Sequence, residues 1–173
     1  MRRRPSPPPS LLLTQHVERP PVLVLGIGNI LLRDEGIGVR VIEALREYLL
    51  PNTIELVDGG TAGADLLDVI SDRHKVIVID AVDADVEPGS TLRLSLDDLV
   101  AGQTAAVSLH EIGLVETFAM ARHLGSAPGE VVIIGIQPKE IIASDQLSPE
   151  ISACVPAIVK QVIEELSSHH RYR

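Results

Sequence analysis

Short apolar runs alternate with longer amphipathic segments along most of this chain. Residues 22–25 form an apolar run between prolines and glycines, and a segment from about Asp34 repeats its apolar residues at helical spacing (Ile37, Val41, Ala44, Leu45 and Leu49). A short branched run of this kind predicts a strand buried on both faces. The periodic segment predicts a helix, with acidic residues at the end where a helix favours negative charge.

The same alternation continues toward the carboxyl end. Apolar runs predict four further strands, the third of them a half-exposed edge strand (53–57, 76–79, 91–94 and 131–136). Helical segments are predicted to begin at four further places (Thr61 or Gly63, Leu96, His110 and Ser148). Strands that alternate with helices pair in parallel through right-handed crossovers. We therefore expect an α/β fold, a three-layer α/β/α sandwich with a mostly parallel sheet of about five strands.

The length of 173 residues suits one core, so we expect a single domain over residues 21–168. Residues 1–20 are rich in proline and arginine and have no periodic pattern, which predicts a disordered extension. Residues 169–173 are expected to be a frayed tail.

Composition excludes several classes of protein. The chain carries a formal charge of −9 and three aromatic residues, which argues against nucleic-acid binding. A single cysteine, Cys154, excludes an internal disulfide and any multi-cysteine metal site, and it fits a reducing cytoplasm. No apolar run approaches the length of a membrane span, and no export signal is recognised, so we expect a cytoplasmic protein without membrane contact.

The glycine turn after the first strand is a weak nucleotide-binding signal. Gly26 and Gly28 match the first half of a dinucleotide fingerprint, but Leu31 occupies the third glycine position. A nucleotide-binding module therefore remains a minor alternative. There is no G-x-S-x-G motif, and His110-Glu111 lacks the second histidine of a zinc-protease motif because residue 114 is leucine.

Three potential metal ligands follow or precede predicted elements at one edge of the sheet. Glu35 comes after the first strand, Asp80 ends the third, and His110 opens a later helix. Carboxylate oxygens and an imidazole suit a borderline divalent metal with open positions. Each residue also has a structural interpretation, as helix-dipole partner, turn cap or helix-start hydrogen bonder. Asp58, before two glycines, is interpreted first as a turn residue and second as a ligand.

Several ordered motifs together resemble the hydrogenase maturation proteases. They are GIGNILLRDEGIGVRVIEAL, VDGGTAG, VIDAV, HEIGL, GIQP and LSPEI, and they span about residues 22–166. The resemblance implies an endopeptidase that removes a C-terminal extension from the large-subunit precursor of a nickel–iron hydrogenase after nickel insertion. It implies that Glu35, Asp80 and His110 are the metal-binding and catalytic residues, and that the nickel belongs to the substrate.

Two questions stay open at this level. The sequence does not decide whether a carboxylate such as Asp80 also acts as general base. The main alternative function is a non-catalytic, nickel-sensing chaperone that holds the same precursor at the same edge without cutting it.

Overall fold

The computed structural model describes residues 19–63, 65–100 and 109–168, with the backbone alone at 100 and 109–112. The predictions for the tail at 169–173, for most of the extension at 1–20 and for the end of the helical segment that begins at Leu96 concern residues outside these ranges.

The described residues form five strands and five α-helices, which follow one another along the chain largely as the sequence predicts. The strands are β1 (Val22–Ile27), β2 (Ile54–Gly60), β3 (Lys75–Ala81), β4 (Thr91–Leu94) and β5 (Glu130–Ile136). The helices are α1 (Ile37–Leu45), α2 (Leu66–Ile70), α3 (Leu96–Val100), α4 (Leu109–Leu124) and α5 (Pro149–Ser168). The strands form one sheet of order β2-β1-β3-β5-β4. Only β4, at one edge, is antiparallel to its neighbour.

The sheet is covered on both faces, which confirms the three-layer α/β/α fold. Helices α1 and α5 pack on one face around a branched aliphatic core that includes Val24, Ile77 and Ile134. Helices α2, α3 and α4 pack on the other face, where Leu114 and Phe118 contact the alternate residues of the same strands. Within the described residues, no helix combines the length and the apolar character needed to cross a membrane.

The start and the end of the first helix differ from the prediction. Residues Arg33–Gly36 form a 3-10 turn, and the α-helix begins only at Ile37. The delay arises because Arg33 has a left-handed backbone, with φ of +55°, that a regular helix excludes. The helix ends at Leu45, so Leu49, predicted on its apolar stripe, is fully exposed at 105%.

Candidate active site at the carboxyl edge of the sheet

Glu35 is held at the end of β1 by a glycine. The backbone of Gly28 has φ of +133°, and a Cβ atom there would lie 1.8 Å from the carbonyl oxygen of Glu35. No side chain fits this space, and glycine adopts this φ without strain. The glycine turn therefore lets the 3-10 turn that carries Glu35 lie directly against the strand end.

Asp80 reaches the same edge from β3. Gly38 follows Glu35 by about one helical turn, and a Cβ atom on Gly38 would lie 2.2 Å from the carbonyl oxygens of both Ile27 and Ile79. The start of α1 therefore lies directly on the ends of β1 and β3. Because Ile79 precedes Asp80 and the 3-10 turn contacts β3, the two acidic residues are neighbours at this edge.

The Asp80 side chain is almost completely buried. It is 3% exposed, and its Oδ1 accepts a hydrogen bond from the Ala81 N–H at 2.8 Å. Side chains alternate along a strand, so Asp80 continues the row of Val76 and Val78 toward the layer that contains α4. The Asp80 side chain is thus directed to the face of the sheet on which α4, the helix that contains His110, packs.

One oxygen of Glu35 is buried without a hydrogen bond. Among the described residues, Glu35 Oε2 has no partner and negligible solvent exposure. Leaving a buried polar atom unsatisfied costs roughly 1–3 kcal/mol, more when it is charged. A buried polar atom without a partner is expected where a side chain completes its contacts by binding a ligand.

The backbone of His110 lies in the first turn of α4, and its side chain is outside the described set. One turn later, Gly113 packs on the loop after β2, where a Cβ atom on it would lie 3.6 Å from Gly63 Cα. The Thr117 hydroxyl donates to the Gly63 carbonyl at 3.2 Å. Helix α4 therefore begins beside the carboxyl edge of the sheet, which is the placement that the three-ligand hypothesis requires.

The described side chains contain no group of three or more metal-binding residues, and this set does not include the side chain of His110. The structure thus brings Glu35 and Asp80 to one edge, and the convergence of all three remains a prediction.

Asp58 forms the turn that its neighbouring glycines suggest. Its side chain is exposed, and its Oδ1 accepts a hydrogen bond from the Gly60 N–H at 2.9 Å. This bond supports the turn interpretation over the ligand interpretation.

The glycine pair of the β1 turn serves internal packing. A Cβ atom on Gly26 would lie 2.3 Å from the Gly38 carbonyl oxygen, just as the space at Gly28 is taken by Glu35. Both glycines therefore approach backbone of this chain, which disfavours the nucleotide-binding alternative.

Comparisons with known proteins agree with this architecture. The family model of the hydrogenase maturation proteases matches residues 39–165. The chain is 37% identical over 147 residues to the hydrogenase 2 maturation protease of Escherichia coli K12, covering 84% of this chain and 90% of that relative. It is 41% identical over 146 residues to the hydrogenase expression/formation protein HupD of Bradyrhizobium diazoefficiens, covering 77% and 76%.

This chain belongs to the hydrogenase maturation protease family. The solved structure of the hydrogenase maturating endopeptidase HybD from E. coli superposes with a TM-score of 0.80 at 36% identity, covering 86% of this chain and 93% of that one. The residues matched by the family model include Asp80 and His110. Glu35 lies just before residue 39, where the match begins.

Sequence reasoning missed the role of Asp34. Its carboxylate is completely buried and accepts four hydrogen bonds from a loop more than 100 residues away. The donors are the backbone N–H groups of Lys139, Glu140 and Ser148 and the Ser148 hydroxyl, at 2.7–3.1 Å. The signal available in the sequence is the motif LSPEI, in which Ser148 marks the predicted start of a helix.

A second supporting contact comes from the motif GIQP. The Gln137 side-chain oxygen accepts from the Ala84 N–H at 2.8 Å, and its nitrogen donates to Asp83 Oδ1 at 3.2 Å. Gln137 thus holds the loop that follows Asp80, as Asp34 holds the loop beside Glu35.

Proposed function

We propose that this chain is an endopeptidase that removes the C-terminal extension of a nickel–iron hydrogenase large-subunit precursor. In this proposal Glu35, Asp80 and His110 recognise nickel that the precursor already carries, so the metal is part of the substrate. Membership of the hydrogenase maturation protease family supports the protease activity. The finer assignment rests on the chemistry of the edge described above.

The observation that carries the proposal is the buried, unsatisfied Oε2 of Glu35. The adjacent Asp34 has both oxygens engaged by the protein, so burial at this edge does not by itself leave carboxylates without donors. A cation supplied by the substrate would satisfy Glu35 when the precursor binds. A precursor without nickel would lack this anchor and would bind weakly.

The reaction is hydrolysis of one peptide bond. A metal that bridges precursor and protease positions the scissile bond and polarises its carbonyl, which are recognised contributions of metal ions to catalysis. Water adds to the carbonyl carbon, the C–N bond breaks, and the leaving amine takes up a proton. The products are a large subunit with a new terminal carboxylate and a free peptide with a new amine. In this proposal a carboxylate such as Asp80 accepts the proton from water.

The nickel-sensing chaperone is the competing function at the same edge. It requires the same recognition of the precursor but no bond cleavage. The two functions predict different products, since only the protease shortens the precursor.

The test uses the full chain and purified large-subunit precursor, prepared with and without nickel. Intact-mass spectrometry after incubation is expected to show loss of one C-terminal peptide from the nickel-loaded precursor alone. Asp80→Asn and His110→Ala are expected to abolish this loss. Stable binding of the loaded precursor without any change of mass would establish the chaperone function instead, and equal cleavage of both precursors would refute recognition of nickel.

A further inference from the structure

Two neighbouring segments beside Glu35 expose four large apolar side chains. Their exposed fractions lie between 38% and 63%, and we call them the apolar patch (Ile30, Leu31, Ile141 and Ile142). The segments lie side by side, because Leu32 and Ser144 form a parallel bridge and the Ser144 N–H donates to the Leu31 carbonyl at 3.0 Å. Exposed apolar side chains gathered next to a site are characteristic of an interaction surface.

We infer that the apolar patch binds an uncharged, apolar segment of the precursor that adjoins the scissile bond. The patch would then select precursors by the side chains next to the cut, separately from the recognition of nickel. This inference rests on the proposed function and assigns it a peptide-binding subsite.

The first support is that the patch is fixed relative to the candidate catalytic acid. Leu31 precedes Glu35 by four residues, in the segment that leads into the 3-10 turn. On the other segment, the N–H groups of Lys139 and Glu140 each donate to Asp34 Oδ2 at 3.1 Å, immediately before Ile141. Both halves of the patch are therefore tied to the two residues Asp34 and Glu35.

The second support is the left-handed backbone of Arg33 between the patch and Glu35. A non-glycine residue in this conformation costs roughly 1–2 kcal/mol. Here it is retained by the bond from the Arg33 N–H to the Ser144 carbonyl at 2.9 Å and by an ion pair with Glu140 at 2.9 Å. These contacts hold the two segments in register, as expected of a surface shaped before a ligand arrives.

The third support is the balance of charge around the patch. Arg33 pairs with Glu140 at 2.9 Å, and Lys139 pairs with Glu150 at 2.5 Å, so the flanking charges neutralise one another. These two pairs leave the charged side chains that directly flank Ile141 without a net charge. Apolar side chains flanked by neutral pairs favour an uncharged apolar occupant over a charged one.

The experiment measures steady-state cleavage of nickel-loaded precursor by Leu31→Ser and Ile142→Ser. Each is expected to raise KM about tenfold, because contact with an apolar side chain is lost, while kcat changes by less than about twofold. Leu124→Ser is the matched control, since Leu124 is exposed to the same 63% as Leu31 but lies at the end of α4 near the opposite edge of the sheet. The control is expected to keep the wild-type KM.

A precursor whose apolar residues next to the scissile bond are replaced by serine completes the design. Wild-type protease should lose about tenfold in KM on this substrate, and Leu31→Ser should lose little more, since both changes remove one contact. Unchanged KM for Leu31→Ser and Ile142→Ser overturns the inference. So does a wild-type dimer that Leu31→Ser converts to a monomer with unchanged KM, because the occupant is then a second copy of this chain. Failure of the proposed function is distinct, since the wild-type chain then cleaves no precursor at all.

Discussion

Asp34 and Glu35 are adjacent acids with opposite environments. Asp34 is saturated by donors from the loop before α5, whereas Glu35 keeps one buried oxygen without a partner among the described residues. The division of roles follows from this difference, with Asp34 as a structural anchor and Glu35 as the residue available to a ligand.

Replacing Asp34 tests the anchor. Asp34→Asn places an amide NH2 against backbone donors and is expected to lower the free energy of unfolding by about 3 kcal/mol, since hydrogen bonds to a buried charge are lost. Glu35→Gln is expected to change it by less than about 1 kcal/mol, because no described hydrogen bond is broken. Urea denaturation monitored by circular dichroism measures both. Equal destabilisation by the two variants would contradict the division of roles.

The sequence shows two adjacent acidic residues, but it does not show which one is the structural anchor and which one is available to a ligand. The pattern DEG at a helix start predicts negative charge, and it does so for either residue. The donors that distinguish them come from residues 139–148, and their approach depends on the packing of α5 over the sheet. Similarly, the sequence places His110 at a helix start without fixing where its side chain points.

At the scale of elements, the contact of α1 with the ends of β1 and β3 positions Glu35 beside Asp80. This contact depends on the absence of a side chain at Gly38, which lies against two backbone carbonyls.

Gly38→Ala is therefore expected to destabilise the fold by about 3 kcal/mol or more, because backbone rather than a flexible side chain must move. Gly63→Ala is the control, since a Cβ atom there meets nothing within 4 Å. Thermal unfolding of both variants checks the prediction. A melting temperature for Gly38→Ala close to that of the wild type would show that the helix does not lie on the strands as described.

An ion network around the buried Lys75 joins the amino ends of β3 and β5 to α5, far from the site. Lys75 is 2% exposed and pairs with Glu165 at 2.7 Å and with Glu130 at 3.4 Å, and Arg93 also pairs with Glu165 at 2.9 Å. Hydrogen bonds from Arg93, together with those from Lys75, lower the pKa of Glu165 from 4.5 to about 2, against the opposing effect of burial.

This pKa predicts how stability depends on pH. Because the folded pKa is depressed, Glu165 contributes its full stability above about pH 4.5 and loses it as the pH falls toward about 2. Glu165→Gln is expected to be less stable than wild type by about 3 kcal/mol at pH 7, since Lys75 loses its nearest partner, and the difference should shrink at acid pH. Urea denaturation at pH 7 and pH 3 measures it. Exposed Glu164→Gln is the neighbouring control, and a gap for Glu165→Gln independent of pH would contradict the account.

Most element positions follow from the sequence because a parallel sheet covered on both faces needs continuous apolar strands. The run 76–79, for example, has no polar interruption and becomes the central strand β3. The late start of α1 does not follow, because the 3-10 turn at Arg33–Gly36 is fixed by contacts with Ser144 and Ser148 that are distant in the chain.

For the whole molecule, the carboxyl edge of the sheet is where the fold gathers the residues of the proposed function. The motifs that carry the resemblance to the family fall into two groups in this structure. One group supplies the two acidic side chains, Glu35 and Asp80. The other group holds the neighbouring loops in place through hydrogen bonds of Asp34, Gln137 and Ser148. These contacts fix the loops beside the two acids through the fold itself, which is the preorganisation that a binding or catalytic site needs.

The most direct measurement is the mass of nickel-loaded precursor after incubation with Glu35→Gln, compared with Glu47→Gln. Glu47 is an exposed acid just after α1 and provides the matched loss of one charge. Removal of the C-terminal peptide should continue with Glu47→Gln and fall by at least about a hundredfold with Glu35→Gln, while both variants keep the wild-type melting temperature. Processing by a folded Glu35→Gln variant at the wild-type rate would contradict the claim that this carboxylate binds the nickel of the precursor.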